Sequence, residues 1–154
     1  MAKNRLYEDD VLVIGLGRFG AEAALELQRL GHKVTAIEKD QTLAESFSGR
    51  LARIILADAS QPRAIEAGRA STFKLAVIGI GSSVEASVLT AGNLIDAGIP
   101  SIWATAVSLE HARILERLGV HHVVQPEADS GRRVAHLVNG KLQDYIQFDD
   151  GYAI

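Results

Sequence analysis

The sequence has no cysteine. Disulfides, thiol nucleophiles and cysteine-based zinc sites are thereby excluded. Aromatic residues make up only 5% of the chain. The core must therefore be built from Val, Ile, Leu and Ala, the mix expected of a buried parallel sheet. Long hydrophobic runs are missing as well. The stretches "VLVIGLG" and "LAVIGIG" fall far short of the roughly 20 apolar residues that a membrane span needs. The N-terminal "MAKNRLYEDD" holds no hydrophobic signal core. Nor is there a surplus of base. The net charge is -3 and the isoelectric point is near 5.9, which argues against nucleic acid, whose partners carry a basic face.

What is present is 154 residues, 47% of them hydrophobic, the size of one domain around one core. The expectation is a soluble cytoplasmic protein with no direct membrane insertion. Short apolar runs alternate with amphipathic stretches. Strands are expected at about 10–15, 33–38, 52–57, 75–80, 101–105 and 121–125. Helices are expected at about 18–30, 41–48, 61–69, 83–97 and 108–118, with a last one from near Asp129. Such alternation predicts an α/β fold, a doubly wound six-stranded parallel sheet of order 3-2-1-4-5-6. Gly31, Gly98 and Gly119 each end a helical pattern, as C-cap glycines do. The closing "DYIQFDDGYAI" has three acids and no base. It reads as a loosely docked tail over 141–154, or as the start of a connection, after a domain spanning 10–140.

Gly15, Gly17 and Gly20 fit G-x-G-x-x-G between the strand run "DVLVIG" and the helix run "RFGAEAALELQRL". Glu38 stands 23 residues after Gly15 (38 − 15), at the end of the next strand. That context makes a dinucleotide-binding fingerprint of the Rossmann type. Gly15 permits the tight turn, Gly17 admits a pyrophosphate, and Gly20 lets the helix pack on the sheet. The helix N-terminus offers N–H groups and partial positive charge to phosphates. Glu38 can accept from ribose hydroxyls and would repel a 2′-phosphate. ATP, ADP or NAD(H) is thus expected over NADP(H), a preference that the neighbouring Lys39 softens.

Arg18 could reach terminal phosphates or lie solvated on the first helical turn. Asp58, with Ala59 beside it, either borders an adenine pocket or opens the next helix, for which Ser60 is an equal candidate. Gly79, Gly81, Ser82 and Ser83 lie at the switch point of the sheet, where ligands bind. Ser82 and Ser83 either cap the following helix or touch the ligand. His121 and His122 are adjacent, so in a strand they point to opposite faces and make no metal site. Trp103 is expected in the core.

These stretches resemble a known family. "GLGRFG", the acid at Glu38, "ADAS", "AVIGIGSSVEASVLTAGNL", "IWATA" and "HARILERLGVHHVVQPEADSGRRVA" come in the order seen in RCK domains, the regulators of potassium conductance also called KTN or TrkA-N domains. The chain looks most like regulatory subunits of Trk/Ktr-type bacterial potassium uptake systems. The resemblance implies a cytosolic gating module that binds ATP, ADP or NAD(H) and forms a homodimer. In the full assembly it implies an octameric ring under a membrane potassium transporter or channel, peripheral to the inner membrane. It further implies that Gly15, Gly17, Arg18, Phe19 and Gly20 surround the phosphates and that Glu38 holds the ribose. Asp58 and Ala59 would border the adenine, and Gly79, Gly81 and Ser83 would close the site. Glu127 resembles an acid that helps bind a cation at the dimer interface in some members. From the residues alone, Glu127 and Asp129 read as first-turn acids of a helix.

Two departures stand out. Thr105 occupies a place where many relatives carry a Lys or Arg on phosphate. The family's second, C-terminal lobe is missing, since the residues after about position 140 are too few to make one. Either this is an excised piece or the native protein is a single-lobe regulator. The alternative on the fingerprint alone is a stand-alone NAD(H)-binding redox sensor or an NAD-dependent oxidoreductase. The latter needs a substrate domain and a proton donor beside the nicotinamide. This chain spends its length on the nucleotide fold, so no enzyme is expected.

Overall fold

A computed structural model describes the backbone of residues 10–153 and the side chains of residues 10–144. The elements in order are β1 (Asp10–Ile14), α1 (Arg18–Arg29), β2 (Lys33–Glu38), α2 (Gln41–Ser46), β3 (Arg53–Leu56) and α3 (Pro62–Ala67). A short turn of 3-10 helix (Ala70–Thr72) follows, then β4 (Leu75–Ile78), α4 (Val84–Asp96), β5 (Ser101–Thr105), α5 (Leu109–Leu118), β6 (His122–Val124) and α6 (Pro126–Ala153). The six strands form one parallel sheet of order β3-β2-β1-β4-β5-β6, as the alternation predicts.

The two-residue period of each strand sorts its side chains into two cores. Leu12, Ile14, Ile37, Ile78, Ile102 and Ala104 share one core with Ala91 and Leu94 of α4 and Ala112 and Leu115 of α5. Val11, Val13, Val34 and Ala36 share the other with Leu16 and Ala24. Local signals set the helix starts. The side chains of Asp40, Ser83 and Ser108 accept from the backbone N–H of Leu43, Ala86 and His111, which caps α2, α4 and α5.

Three expectations need correction. Trp103 is 39% exposed and stacks on His122, with ring centroids 4.1 Å apart. Its strand neighbours Ile102 and Ala104 take the interior face, so Trp103 falls on the other. There it lines a shallow apolar groove of about 250 Å³ with Phe19, Ala23, Leu27, Leu30 and Val77. Neither Asp58 nor Ser60 caps α3. The cap position is Gln61, with no side-chain bond, and Pro62 begins the helix. The last helix starts at Pro126, ahead of Asp129, whose N–H donates to Gln125 O.

The chain divides into two compact units, the sheet and its helices up to Val124 and a second unit from Gln125 that contains α6. The expected limit near residue 140 falls inside this helix. The tail stretch is helical in its backbone to Ala153, and its side chains from Tyr145 lie outside the described residues. Among the described residues no helix is long and apolar enough to cross a membrane.

Candidate functional site

The site lies where β1, β2 and β4 end. Gly15 N donates to Ile37 O at 2.9 Å, and Gly79 N donates to Ile14 O at 2.8 Å, so the loops leave the sheet while still held by it. Gly15 has φ +90°, a conformation that side chains disfavour. A Cβ on Gly20 would run into Gly15 O, and one on Gly79 would lie 2.9 Å from Gly20 Cα and N. Three backbones thus touch where α1 meets β1 and β4. Gly17 is different. It is exposed, and a Cβ there would find its nearest neighbour, Gly79 O, 4.0 Å away. The fold does not require its missing side chain, but the close approach of a ligand would.

Gly17 also caps α1. No side chain bonds to that cap, and no acid stands in the first turn. The free N–H groups of the first turn are therefore not taken up by a side chain of the cap or of that turn. Arg18 projects exposed from the first helical position.

Glu38 is 7% exposed. Its Oε1 accepts from Leu16 N at 2.7 Å and its Oε2 from Asp40 N at 2.8 Å. The carboxylate therefore ties the glycine loop to the end of β2. Each oxygen keeps a further lone pair for a hydroxyl. Beyond β2 and β3, Asp58 sits in a turn closed by Ser60. The Ser60 hydroxyl donates to Asp58 Oδ1 at 2.7 Å and Ser60 N at 3.0 Å. These bonds hold the Asp58 carboxyl below its usual range, with a smaller pull from Lys39.

Of the residues expected at the site, Gly15, Gly17, Gly20, Glu38 and Gly79 come together, with Arg18 on the adjoining first turn of α1 and Lys39 next to Glu38 in sequence, near enough to Asp58 to act on its charge. Ala59 is buried. Ser83 is engaged as the cap of α4, and Gly81 lies against the loop after β5. Phe19 lines the apolar groove. Thr105 is buried and donates to Ile78 O at 3.4 Å. Glu127 stands in the first turn of α6, and the nearby Asp129 is paired with Arg132 at 2.5 Å. Among the described residues no cluster of three His, Asp or Glu could hold a metal.

Sequence reasoning missed three residues that brace the site. Asn93 of α4 donates from its amide to Ala59 O at 3.0 Å, fixing the loop after β3. Its only signal is being the one amide of α4. His111 of α5 is 1% exposed. Its Nδ1 accepts from Val107 N at 3.1 Å, and its Nε2 lies 2.9 Å from Oγ of the buried Ser87 on α4.

Burial lowers the His111 pKa. Below about pH 6.5, the ordinary imidazole value, the unfolded chain takes up a proton that the native chain resists. Stability held at neutral pH is therefore lost as the pH falls from there toward the native value. A thermal midpoint measured between about pH 7 and about pH 5 should fall further for the natural protein than for His111→Gln, which has no such group.

Residues 11–126 match the model of the TrkA-N domain family. The Ktr system potassium uptake protein A of Bacillus subtilis (strain 168) is 30% identical over 151 residues, covering 97% of this chain and 68% of that protein. Its namesake in Vibrio alginolyticus is 30% identical over 143 residues, 92% of this chain and 65% of that protein. The chain thus spans about two thirds of the length of these relatives. Among solved structures, the TrkA-N domain of inner membrane protein ybaL from Escherichia coli superposes with a TM-score of 0.76 at 18% identity, over 84% of this chain and 96% of that one. The Kef CTD of Shewanella denitrificans in its AMP-bound form gives 0.74 at 22%, over 86% and 80%. The GsuK channel bound to NAD gives 0.66 at 12%, over 75% and 21%. These structures share the fold. The family match reaches every strand and the whole glycine contact, and the sequence relatives run nearly the full chain, so the chain belongs to the TrkA-N domain family.

Proposed function

We propose that this chain is a nucleotide-sensing regulatory domain of a potassium uptake system, for which an adenine nucleotide or NAD(H) is a signal and not a reactant. One observation carries the reading. Gly17 lies open over a helix N-terminus that no side chain caps, beside the carboxylate of Glu38, a cradle for phosphates next to an acceptor for ribose. The relatives named as potassium uptake proteins supply the process. The neighbours named as bound to AMP and to NAD supply the ligand class.

In this reading the domain works as a homodimer, within a ring, at the cytoplasmic side of a membrane transporter. Ligands that differ in phosphate number favour different arrangements of the two copies. Each shifts that balance only by its difference in affinity for the two states.

Thermal unfolding with ATP, ADP, AMP, NAD, NADH and NADPH tests the ligand class. A ligand at about 100 times its Kd adds about 2.7 kcal/mol, a rise of roughly 5–10 °C at this size. ATP or ADP should act at least as strongly as NADH. A rise with NADH or NADPH alone would instead favour a redox sensor or an oxidoreductase. This reading assigns a terminal phosphate to Arg18, which is exposed at the first helical position. Arg18→Ala should therefore weaken ATP relative to ADP by about tenfold in titration calorimetry. An unchanged ratio removes Arg18 from that role.

A further inference from the structure

The loop after β5, Ala106–Val107–Ser108, closes on the loop after β4. A Cβ built on Gly81 would lie 3.8 Å from Val107 Cγ1, so Val107 is the side chain that faces Gly81. The position of Val107 depends on His111. The N–H of Val107 donates to Nδ1, so the neutral ring carries its proton on Nε2 and donates it to Ser87 Oγ. In return, His111 N donates to Ser108 Oγ at 3.1 Å. This is a reciprocal cap built with a histidine, and Ser87 anchors it to α4.

The imidazolium has two N–H groups and no acceptor. Protonated, the ring would set Nδ1–H against Val107 N–H, beside a helix N-terminus that already disfavours positive charge. The first turn of α5 holds one acid, Glu110, and its side chain is exposed to solvent. Glu85 and Asp96 of α4 are exposed, as are Glu110, Arg113, Glu116 and Arg117 of α5 and His121 and His122 at β6. The loops after β4 and β5 have no titratable residue. The strands beneath supply Ile78, Ile102 and Ala104.

We propose that the loops after β4 and β5 form one wall of the nucleotide site and that His111 is its positioning residue: its neutral ring pins Val107 opposite Gly81, and protonation frees that wall, so nucleotide affinity falls in acid. The proposal rests on the nucleotide reading above. It makes the domain respond to acid through a residue that touches no ligand.

The test follows two signals from about pH 8 to about pH 5, a range that spans the ordinary imidazole value. One is the Val107 amide resonance of the 15N-labelled chain. The other is the ADP dissociation constant from calorimetry, for the natural protein, His111→Gln and His111→Leu. Glutamine can accept from Val107 N and donate to Ser87, and it does not titrate. The Val107 amide should move in step with the His111 ring, and ADP should weaken by about tenfold across that step, the worth of one such hydrogen bond. His111→Gln should bind ADP as the natural protein does at the upper pH and show a flat profile. His111→Leu should bind weakly throughout. A Val107 amide that ignores the ring, a ring that stays neutral to the lower limit, or a His111→Gln profile that keeps the natural slope would each overturn the proposal. Absence of ADP binding at every pH would sink the nucleotide reading and the affinity claim with it. The amide signal would then still decide whether His111 pins Val107.

Discussion

Gly20→Ala should lower the thermal midpoint by roughly 6–12 °C, the equivalent of about 3 kcal/mol for a chain of this size. The added methyl would meet Gly15 O, a backbone atom with no rotamer to escape into. The first turn of α1 would have to lift from β1 and β4, opening the contact that Gly79 completes. Gly79→Ala, 2.9 Å from the Gly20 backbone, should act in the same sense. Gly17→Ala is the control. Its nearest neighbour is 4.0 Å away, so its midpoint should stay within about 2 °C of the natural protein, as for an ordinary exposed position. Its ADP affinity should nevertheless drop by at least about tenfold, because the methyl occupies the space of the phosphates. Calorimetric melts and titrations of the three variants separate the two effects. If Gly20→Ala proves as stable as Gly17→Ala, the three-backbone contact does not bear on stability.

Glu38→Ala should cost about 2–4 kcal/mol, since Leu16 N would lose a charged acceptor in the interior and Asp40 N one at the partly buried end of β2. Urea unfolding measures this directly. The same variant should weaken ATP, ADP, AMP and NAD by a common factor, because the ribose and the loop geometry are common to all. Glu38→Gln should fall between the natural protein and alanine. It keeps one acceptor oxygen and turns an NH2 group toward the other N–H. A natural unfolding midpoint in Glu38→Ala would show that the loop holds itself without the carboxylate.

The pattern of apolar runs made the six strands and their order legible, because buried parallel strands have few other arrangements. The glycine spacing and the acid after β2 were legible for the same reason: each is a local requirement with few alternative residues. The serine before α4 stayed open between cap and ligand contact, and its hydroxyl caps the helix. Trp103 was misread because a strand exposes one face or the other according to what covers it, and its own composition does not say which. Asp58 and Ser60 looked like cap residues but spend their bonds on each other. Asn93, Ser87 and His111 left almost no trace. Their meaning comes from partners 34, 24 and 24 positions away, and contacts of that range have no periodicity to read.

Trp103 is the chain's one tryptophan. It lies half in water against the His122 ring, inclined by 24°. The protein therefore carries its single indole, which can be excited apart from its three tyrosines, on the open wall of its apolar groove. A surface that comes to rest there would shift the indole emission to the blue and slow quenching by acrylamide. Occupation of this face can thus be followed in real time on unlabelled protein.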